Sequence, residues 1–256
     1  MHADRISIPP EHPRVKSLYT REMLVDGYKR GLVAAEGLIA HGRGEAYDYL
    51  IGERTTKTAQ RAIKAAAAML LLSKRPVISV NGNLAVLCSR TLVELAKVTG
   101  SAIEVNLFYR TEDREQAIKA ELETHGADNV LGVGSRASAT IPELQSERRR
   151  VDPEGIYSAD TVFVPLEDGD RTEALVKMGK RVVTIDLNPM SRTAKAAHIT
   201  IVDNIIRAMP AIVEAAHEIK GSRSLRKLVD SFDNKKNLRE SLKIIRRRVW
   251  CRPRKK

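Results

Sequence analysis

The stretch "PVISVNGN", residues 76–83, decides the fold. A five-residue run rich in β-branched side chains ends abruptly at Asn-Gly-Asn, which reads as a short buried strand running into a polar loop. The pattern recurs down the chain. "AIEVNLF" (102–108) precedes "YRTED", "TVFVP" (161–165) precedes "LEDGD" and "RVVTIDL" (181–187) precedes "NPMSRT"; "NVLGV" (129–133) and "HITIVD" (198–203) complete the set. Helical spacing fills the intervals near 89–98, 111–125 and 168–179. In the last of these Asp170 and Glu173 read as a capping box and Gly179 as a C-cap. Strands alternating with helices imply βαβ units, hence an α/β, Rossmann-like fold with a mainly parallel sheet covered by helices on both faces. In such sheets ligands bind outside the carboxyl ends of the strands, so the polar loops are where chemistry is expected.

Ahead of the first strand the spacing predicts a helix over 15–33, then a turn at "HGRGEA" (41–46), then a helix through "TAQRAIKAAAAMLLLSK" (58–74). Two glycines around Arg43 resemble a phosphate-binding turn, but the stretch matches neither the P-loop nor the dinucleotide fingerprint. If it takes part in chemistry, the helical opening must fold over the strand ends. "GVGSRA" (132–137) fits the G-x-G-x-x-A pattern after a strand, yet Pro142 cuts the following helix short, and it reads as an ordinary loop. Pro210 falls inside the final helix of this region and predicts a kink or a start near Met209; Asp203 is the expected N-cap.

A chain of 256 residues with 43% hydrophobic content can bury one large core. Its polar start is not a signal peptide and no stretch has the length of a membrane span, so a cytoplasmic protein with no membrane partner is expected. Cys88 and Cys251 stand apart, with no metal-ligand spacing and no disulfide framework. The net charge of +12 invites a nucleic-acid reading, but its location argues otherwise: residues 222–256 hold 14 Lys/Arg against 3 Asp/Glu, which leaves the body at about +1. Apolar residues at helical intervals in that tail read as a docked amphipathic helix with a frayed basic end. The division expected is a Rossmann-like domain over 1–220, with the N-terminal helices, and a basic helical extension over 221–256. Binding of nucleic acid through the tail is the alternative function.

Metalloprotease, serine-hydrolase and kinase signatures are absent, and the six histidines are scattered. His198, opening a strand, reads as a packing contact, whereas His41 lies in a dense polar cluster. Arg21, Arg43, Arg110, Arg114, Arg171 and Arg192 each stand close to a glycine, asparagine or acidic residue, an inventory suited to a polyanionic small molecule.

"GLIAHGRGEAYDYLIGE", "PVISVNGN", "IEVNLFYRTE", "GIYSADTVFVPLEDGDRTEALVKMGK" and "IDLNPMSRTA…TIVDN", in that order, resemble the archaeal phosphopantothenate synthetase (4-phosphopantoate–β-alanine ligase) family from about Ile6 to about Ile219. The stretch 129–150 and the tail lie outside the resemblance. It implies a homodimeric enzyme of coenzyme A biosynthesis that condenses 4-phosphopantoate with β-alanine, using ATP with Mg²⁺ and releasing AMP and pyrophosphate through an acyl-adenylate. By resemblance ATP falls to Arg21, Arg43, Asp186, Leu187, Asn188, Arg192, Thr193, Asn204 and Ile205. Asn81, Asn83 and Arg110 are the expected 4-phosphopantoate contacts, and His41, Arg43 and Glu45 the expected catalytic group. Glu45 or Asp48 is expected either to orient the β-alanine ammonium or simply to favour the start of a helix after Gly44. No protein-held metal site is expected.

Overall fold

In a computed structural model that describes residues 8–250, the side chain of Trp250 excepted, the chain runs α1 (Val15–Lys29), α2 (Ala35–Ile51), α3 (Lys57–Leu72), β1 (Pro76–Val80), α4 (Gly82–Thr99), β2 (Ala102–Val105), α5 (Glu112–Thr124) and β3 (Val130–Leu131). It continues through β4 (Ala139–Thr140), β5 (Arg150–Val151), β6 (Thr161–Phe163), α6 (Gly169–Lys177), β7 (Arg181–Ile185), α7 (Arg192–Ala196), β8 (Ile199–Ile201), α8 (Ile205–Ile219), α9 (Leu225–Asp230) and α10 (Asn234–Trp250). Six strands form one parallel sheet in the order β3-β2-β1-β6-β7-β8, and β4 and β5 make a separate antiparallel pair. The expected α/β architecture is therefore present. Strand order reverses between β1 and β6, which makes the loops after those two strands the topological switch point.

Alternation within the strands explains the layers. Ile78, Val80, Ile103, Val105, Phe163 and Val183 point to one face, into a core shared with α3, α4, α5 and α8. Val77, Val162, Val164 and Val182 point to the other, against α6 and the segment carrying Ile141, Leu144, Val151 and Ile156. Residues 129–150 thus help to cover the second face.

Several local expectations are corrected. The "HGRGEA" turn does not exist: residues 41–46 lie inside α2, which begins at Ala35 and ends where Gly52 adopts φ 101°. Glu45 and Asp48 consequently sit deep in that helix, not in its first turn. The first helix ends at Lys29, short of 33, because Gly31 turns the chain at φ 75°. The helix expected near 89–98 starts seven residues earlier, at Gly82, with Asn81 as its N-cap. The N-cap of α6 is Asp168, and Glu173 pairs with Arg192 instead of closing a capping box with Asp170. Asn204, not Asp203, caps α8, and that helix runs from Ile205 through Pro210. Gly179 does follow the C-terminus of α6 with φ 78°. "GVGSRA" forms only a single 3-10 turn at Gly134–Arg136, so no helix N-terminus there meets a pyrophosphate.

The tail is docked. Leu238 of α10 is buried with Ile51, Leu187 and Val202, while Asn234 donates to the carbonyls of Ala194 (3.0 Å) and Ala197 (2.8 Å). The basic end expected to fray, 251–256, lies outside the described residues. Among the described residues no helix is long and apolar enough to cross a membrane.

Candidate functional site

Each strand of the sheet's centre delivers a polar side chain to its carboxyl edge, and the first question is what already occupies it. At the end of β1, Asn81 accepts the Leu84 N–H (3.0 Å) as the cap of α4. Its amide donates to the carbonyls of Leu166 (3.1 Å) and Pro165 (3.3 Å), so it ties together the two loops of the switch point. Asn83 donates to the Gly37 carbonyl at the start of α2 (2.9 Å). Gly82 lies so close beneath the chain between α1 and α2 that a Cβ would overlap the Leu32 carbonyl oxygen, and Arg114 donates to that same carbonyl (3.0 Å). The helical opening therefore folds over the carboxyl edge, as its participation required. Arg110 is turned inward: it pairs with Glu115 (2.6 Å) and donates to the Gly132 carbonyl (2.7 Å), and burial pushes its guanidinium below the usual arginine range.

Two carboxylates anchor the edge at β7 and β8. Asp186 accepts the Asn188 N–H (2.8 Å) and the hydroxyl of Ser191, which caps α7. Burial pushes the Asp186 carboxyl above the usual range, opposed by those hydrogen bonds and by the charge of Arg43. Asp203, fully buried, accepts from the Thr55 hydroxyl (2.6 Å), the Asn204 N–H (2.7 Å) and Arg207. Arg207 also donates to Asp48 (2.6 Å), which takes the Asn204 amide as well (2.8 Å). This network pins α2 to the start of α8. Gly44 completes the contact, since a Cβ there would meet only the Leu187 side chain, at 3.7 Å.

The residues expected around ATP are thus gathered, with one exception. Asp186, Leu187, Asn188 and Asn204 lie in the neighbouring loops after β7 and β8, and Arg192, Thr193 and Ile205 open the helices α7 and α8 that follow them, with Thr193 donating to the Glu167 carbonyl (2.9 Å). Arg43 is exposed and, among the described residues, makes no ion pair. Arg21 stands apart: its Nε and one NH₂ donate to the same oxygen of Glu45 (3.0 and 2.7 Å), which raises its pKa further. At about 100° per residue, Glu45 leaves α2 on nearly the opposite side from Arg43.

Between α1 and α2 lies a cavity of about 430 Å³, lined by Arg21, Leu24, Leu38, His41, Glu45 and Tyr49 among others. Two of the lining side chains each hold a polar atom, His41 Nε2 and Glu45 Oε1, that is buried without a hydrogen-bond partner. Burial pushes the His41 imidazole below its usual range, against the pull of the Glu45 charge.

Sequence reasoning missed two groups. The Asp48–Arg207 link joins positions 159 apart, for which no local signal exists, although Asp203 and Arg207 at i,i+4 spacing were visible. Beneath the switch point, Arg171 is fully buried, donating to the Ser79 hydroxyl (3.1 Å) and pairing with Glu167. Arg148 pairs with Glu167 and with Asp168 (2.9 Å). Arg171 stood among the arginines suited to a polyanionic ligand, but here it is spent on holding the loop after β6. His198 accepts the Val182 N–H (3.2 Å), in keeping with a packing contact. Among the described residues no three His, Cys, Asp or Glu side chains gather as a metal site.

The chain is similar to known proteins over nearly its whole length. The chain is 54% identical to a 4-phosphopantoate–beta-alanine ligase of Thermococcus onnurineus over 246 residues, covering 95% of this chain and 94% of that protein. It is 53% identical to the enzyme so named from Thermococcus kodakarensis (95% and 94%) and 52% identical to that of Methanosarcina mazei (93% and 94%). A family profile described as phosphopantothenate/pantothenate synthetase matches residues 58–248, which include every sheet strand and the loops after β7 and β8. The chain belongs to the phosphopantothenate/pantothenate synthetase family.

Proposed function

We propose that this protein is a ligase that joins 4-phosphopantoate to β-alanine in coenzyme A biosynthesis, driven by ATP and releasing AMP and pyrophosphate. The observation that carries the reading is the meeting of the loops after β7 and β8 with α2, where Arg43 stands exposed and its charge acts on the buried Asp186.

The residues fit a nucleotide. Each carboxylate oxygen of Asp186 accepts one internal hydrogen bond and keeps a lone pair for a ribose hydroxyl. Asn204, whose amide is held by Asp48, and the Ile205 N–H frame the neighbouring loop. Arg43 supplies a cation for the triphosphate, and Arg21, on the other flank of α2, has N–H groups not spent on Glu45. Mg²⁺ would enter with the triphosphate and neutralise its charge. Activation of the acid places its carboxylate on the α-phosphorus, with pyrophosphate leaving; positioning and charge neutralisation suffice for that step, without a covalent nucleophile.

For 4-phosphopantoate the switch-point loops are adjacent, but Asn81, Asn83 and Arg110 spend their side chains on the protein. We therefore assign Asn81 and Asn83 to shaping that subsite and Arg110 to supporting it through Gly132. Exposed apolar side chains on α1 and α2, with Tyr19 and Met23 on one face of α1 and Ile39 and Tyr49 on α2, support a homodimer that covers them. A cytoplasmic location accords with these soluble substrates. Nucleotide analysis after incubation with ATP, Mg²⁺, 4-phosphopantoate and β-alanine tests the reading: AMP and pyrophosphate are expected, and ADP as the sole product refutes it.

A further inference from the structure

One face of α2 lies on the loops after β7 and β8. Gly44, Tyr47, Asp48 and Ile51, at i, i+3, i+4 and i+7, share that face. Gly44 faces the Leu187 side chain, and Tyr47 and Ile51 pack with Leu187, Val202 and Leu238. Contacts of that kind are non-directional and do not fix how far the helix slides or turns on its bed. Of these four residues only Asp48 makes side-chain hydrogen bonds among the described residues. Arg207 closes a fork on it, Nη1 to Oδ2 (3.1 Å) and Nη2 to Oδ1 (2.6 Å), and the Asn204 amide donates to Oδ2 (2.8 Å). A two-point contact between planar groups sets orientation as well as distance. The fork is aimed beforehand: Asp203, four residues earlier, accepts from Arg207 Nε (3.0 Å) and is itself held by the hydroxyl of Thr55, just beyond α2 (2.6 Å). Arg43 borders the docked face, next to Gly44 and four residues before Tyr47, and its charge reaches Asp186 across the contact.

We propose that Asp48 is a positioning residue for activation of the acid: forked by Arg207, it sets the register of α2 on the loops after β7 and β8 and so holds Arg43 where the triphosphate lies. The proposal rests on the ligase reading and adds to it a residue that touches no substrate. Asp48 is buried with both oxygens engaged, so it is not placed to meet an ammonium group. Arg207 is not the phosphate ligand either, because its bonds to Asp48 and Asp203 spend four of its five N–H groups. What the pair governs is the placement of α2. A misplacement of about 1 Å at a group that stabilises a transition state costs up to about a hundredfold in rate, and one residue of slip along a helix is about 1.5 Å.

The test is a double-mutant cycle of Asp48→Asn with Arg43→Ala, read by pyrophosphate exchange into ATP with 4-phosphopantoate present and β-alanine absent. It is run at a temperature where circular dichroism shows each variant folded. Asp48→Asn leaves an acceptor for the Asn204 amide and breaks the fork. The structure predicts kcat/KM for ATP lower by about tenfold or more in Asp48→Asn, but by less than about twofold when the same change is made in Arg43→Ala, where the cation it places is gone. A merely structural Asp48 would lower the melting temperature and leave exchange by the folded protein unchanged. Exchange within about twofold of wild type in Asp48→Asn, wild-type exchange in Arg43→Ala, or losses that multiply in the double variant overturn the proposal. Should Asp48→Asn not fold, Arg207→Lys decides: it keeps the charge and loses the fork, so exchange should still fall about threefold or more, again only where Arg43 is present. Exchange unchanged by Arg207→Lys is the contrary result. Absence of exchange in the wild-type enzyme contradicts the activated-acid reading itself, which separates the two failures.

Discussion

Replacing Gly42 by alanine should stabilise this protein. The residue lies in the interior of α2, where glycine costs backbone entropy that alanine does not, about 0.5–1 kcal/mol in favour of the substitution. The gain is realised only if the new methyl has room and the backbone is helical. Both conditions hold: a Cβ on Gly42 would meet nothing within 4 Å, and its φ is not in the left-handed region. Gly44→Ala adds an ordinary contact with Leu187 at 3.7 Å and should contribute a similar gain. Residues two apart on a helix do not face one another, so the double variant should gain about 1–2 kcal/mol. For a chain of this size that is a rise in melting temperature of roughly 2–8 °C, measurable by calorimetry and by the urea midpoint. Gly37→Ala is the contrasting control, because its Cβ would overlap the Asn83 amide oxygen. Loss of stability in Gly42→Ala would mean that residues 41–46 form a glycine-dependent turn, and the account of α2 would fail.

Asp48→Asn removes the shared carboxylate of Asn204 and Arg207, but Arg207 keeps Asp203 and part of its exposure; a loss of about 2 kcal/mol and roughly 4–8 °C is expected in thermal melting. A change under about 0.5 kcal/mol would show that the network does not anchor α2. Gly82→Ala drives a methyl into the Leu32 carbonyl and should cost about 1–3 kcal/mol in urea unfolding, with unchanged stability as the contrary result. Glu104, buried in the sheet, has its carboxyl pushed up to about 7 by burial, against the pull of hydrogen bonds from the Ile156 and Asp152 N–H groups. Its folded-state pKa exceeds the unfolded value, so its contribution is full below about pH 4.5 and is lost as pH rises through about 7. The linked loss is about 3 kcal/mol across that window. Urea midpoints at pH 5 and 8 should differ less in Glu104→Gln than in the wild type; an equal difference would exclude Glu104 as the source.

The sheet was legible because the strands are buried on both faces and bounded by polar loops, a signal carried within five or six residues. The glycines of α2 misled for a physical reason: glycine marks turns by its conformational freedom, but Gly37 is small to let α2 approach Asn83, while Gly42 and Gly44 have room for a methyl and mark no turn. Capping was misplaced by one or two residues at Asp170 and Asp203, where several acceptors compete for one helix start and only the folded backbone selects among them. Arginine roles were the least legible. Arg43, Arg110 and Arg171 look alike in sequence, yet one is exposed, one is held by Glu115 and one is fully buried against Glu167. Their partners lie on other elements, and Arg148, in the unrecognised stretch, had no signal at all.

Pyrophosphate exchange into ATP, with 4-phosphopantoate present and β-alanine absent, tests the central claim most directly when the wild type is run beside Arg43→Ala. The account predicts exchange in the wild type and a rate lower by about tenfold or more in the variant, its melting temperature unchanged because the side chain is exposed. No exchange in the wild type, or equal exchange in the folded variant, would contradict activation of the acid at the edge of β7 and β8.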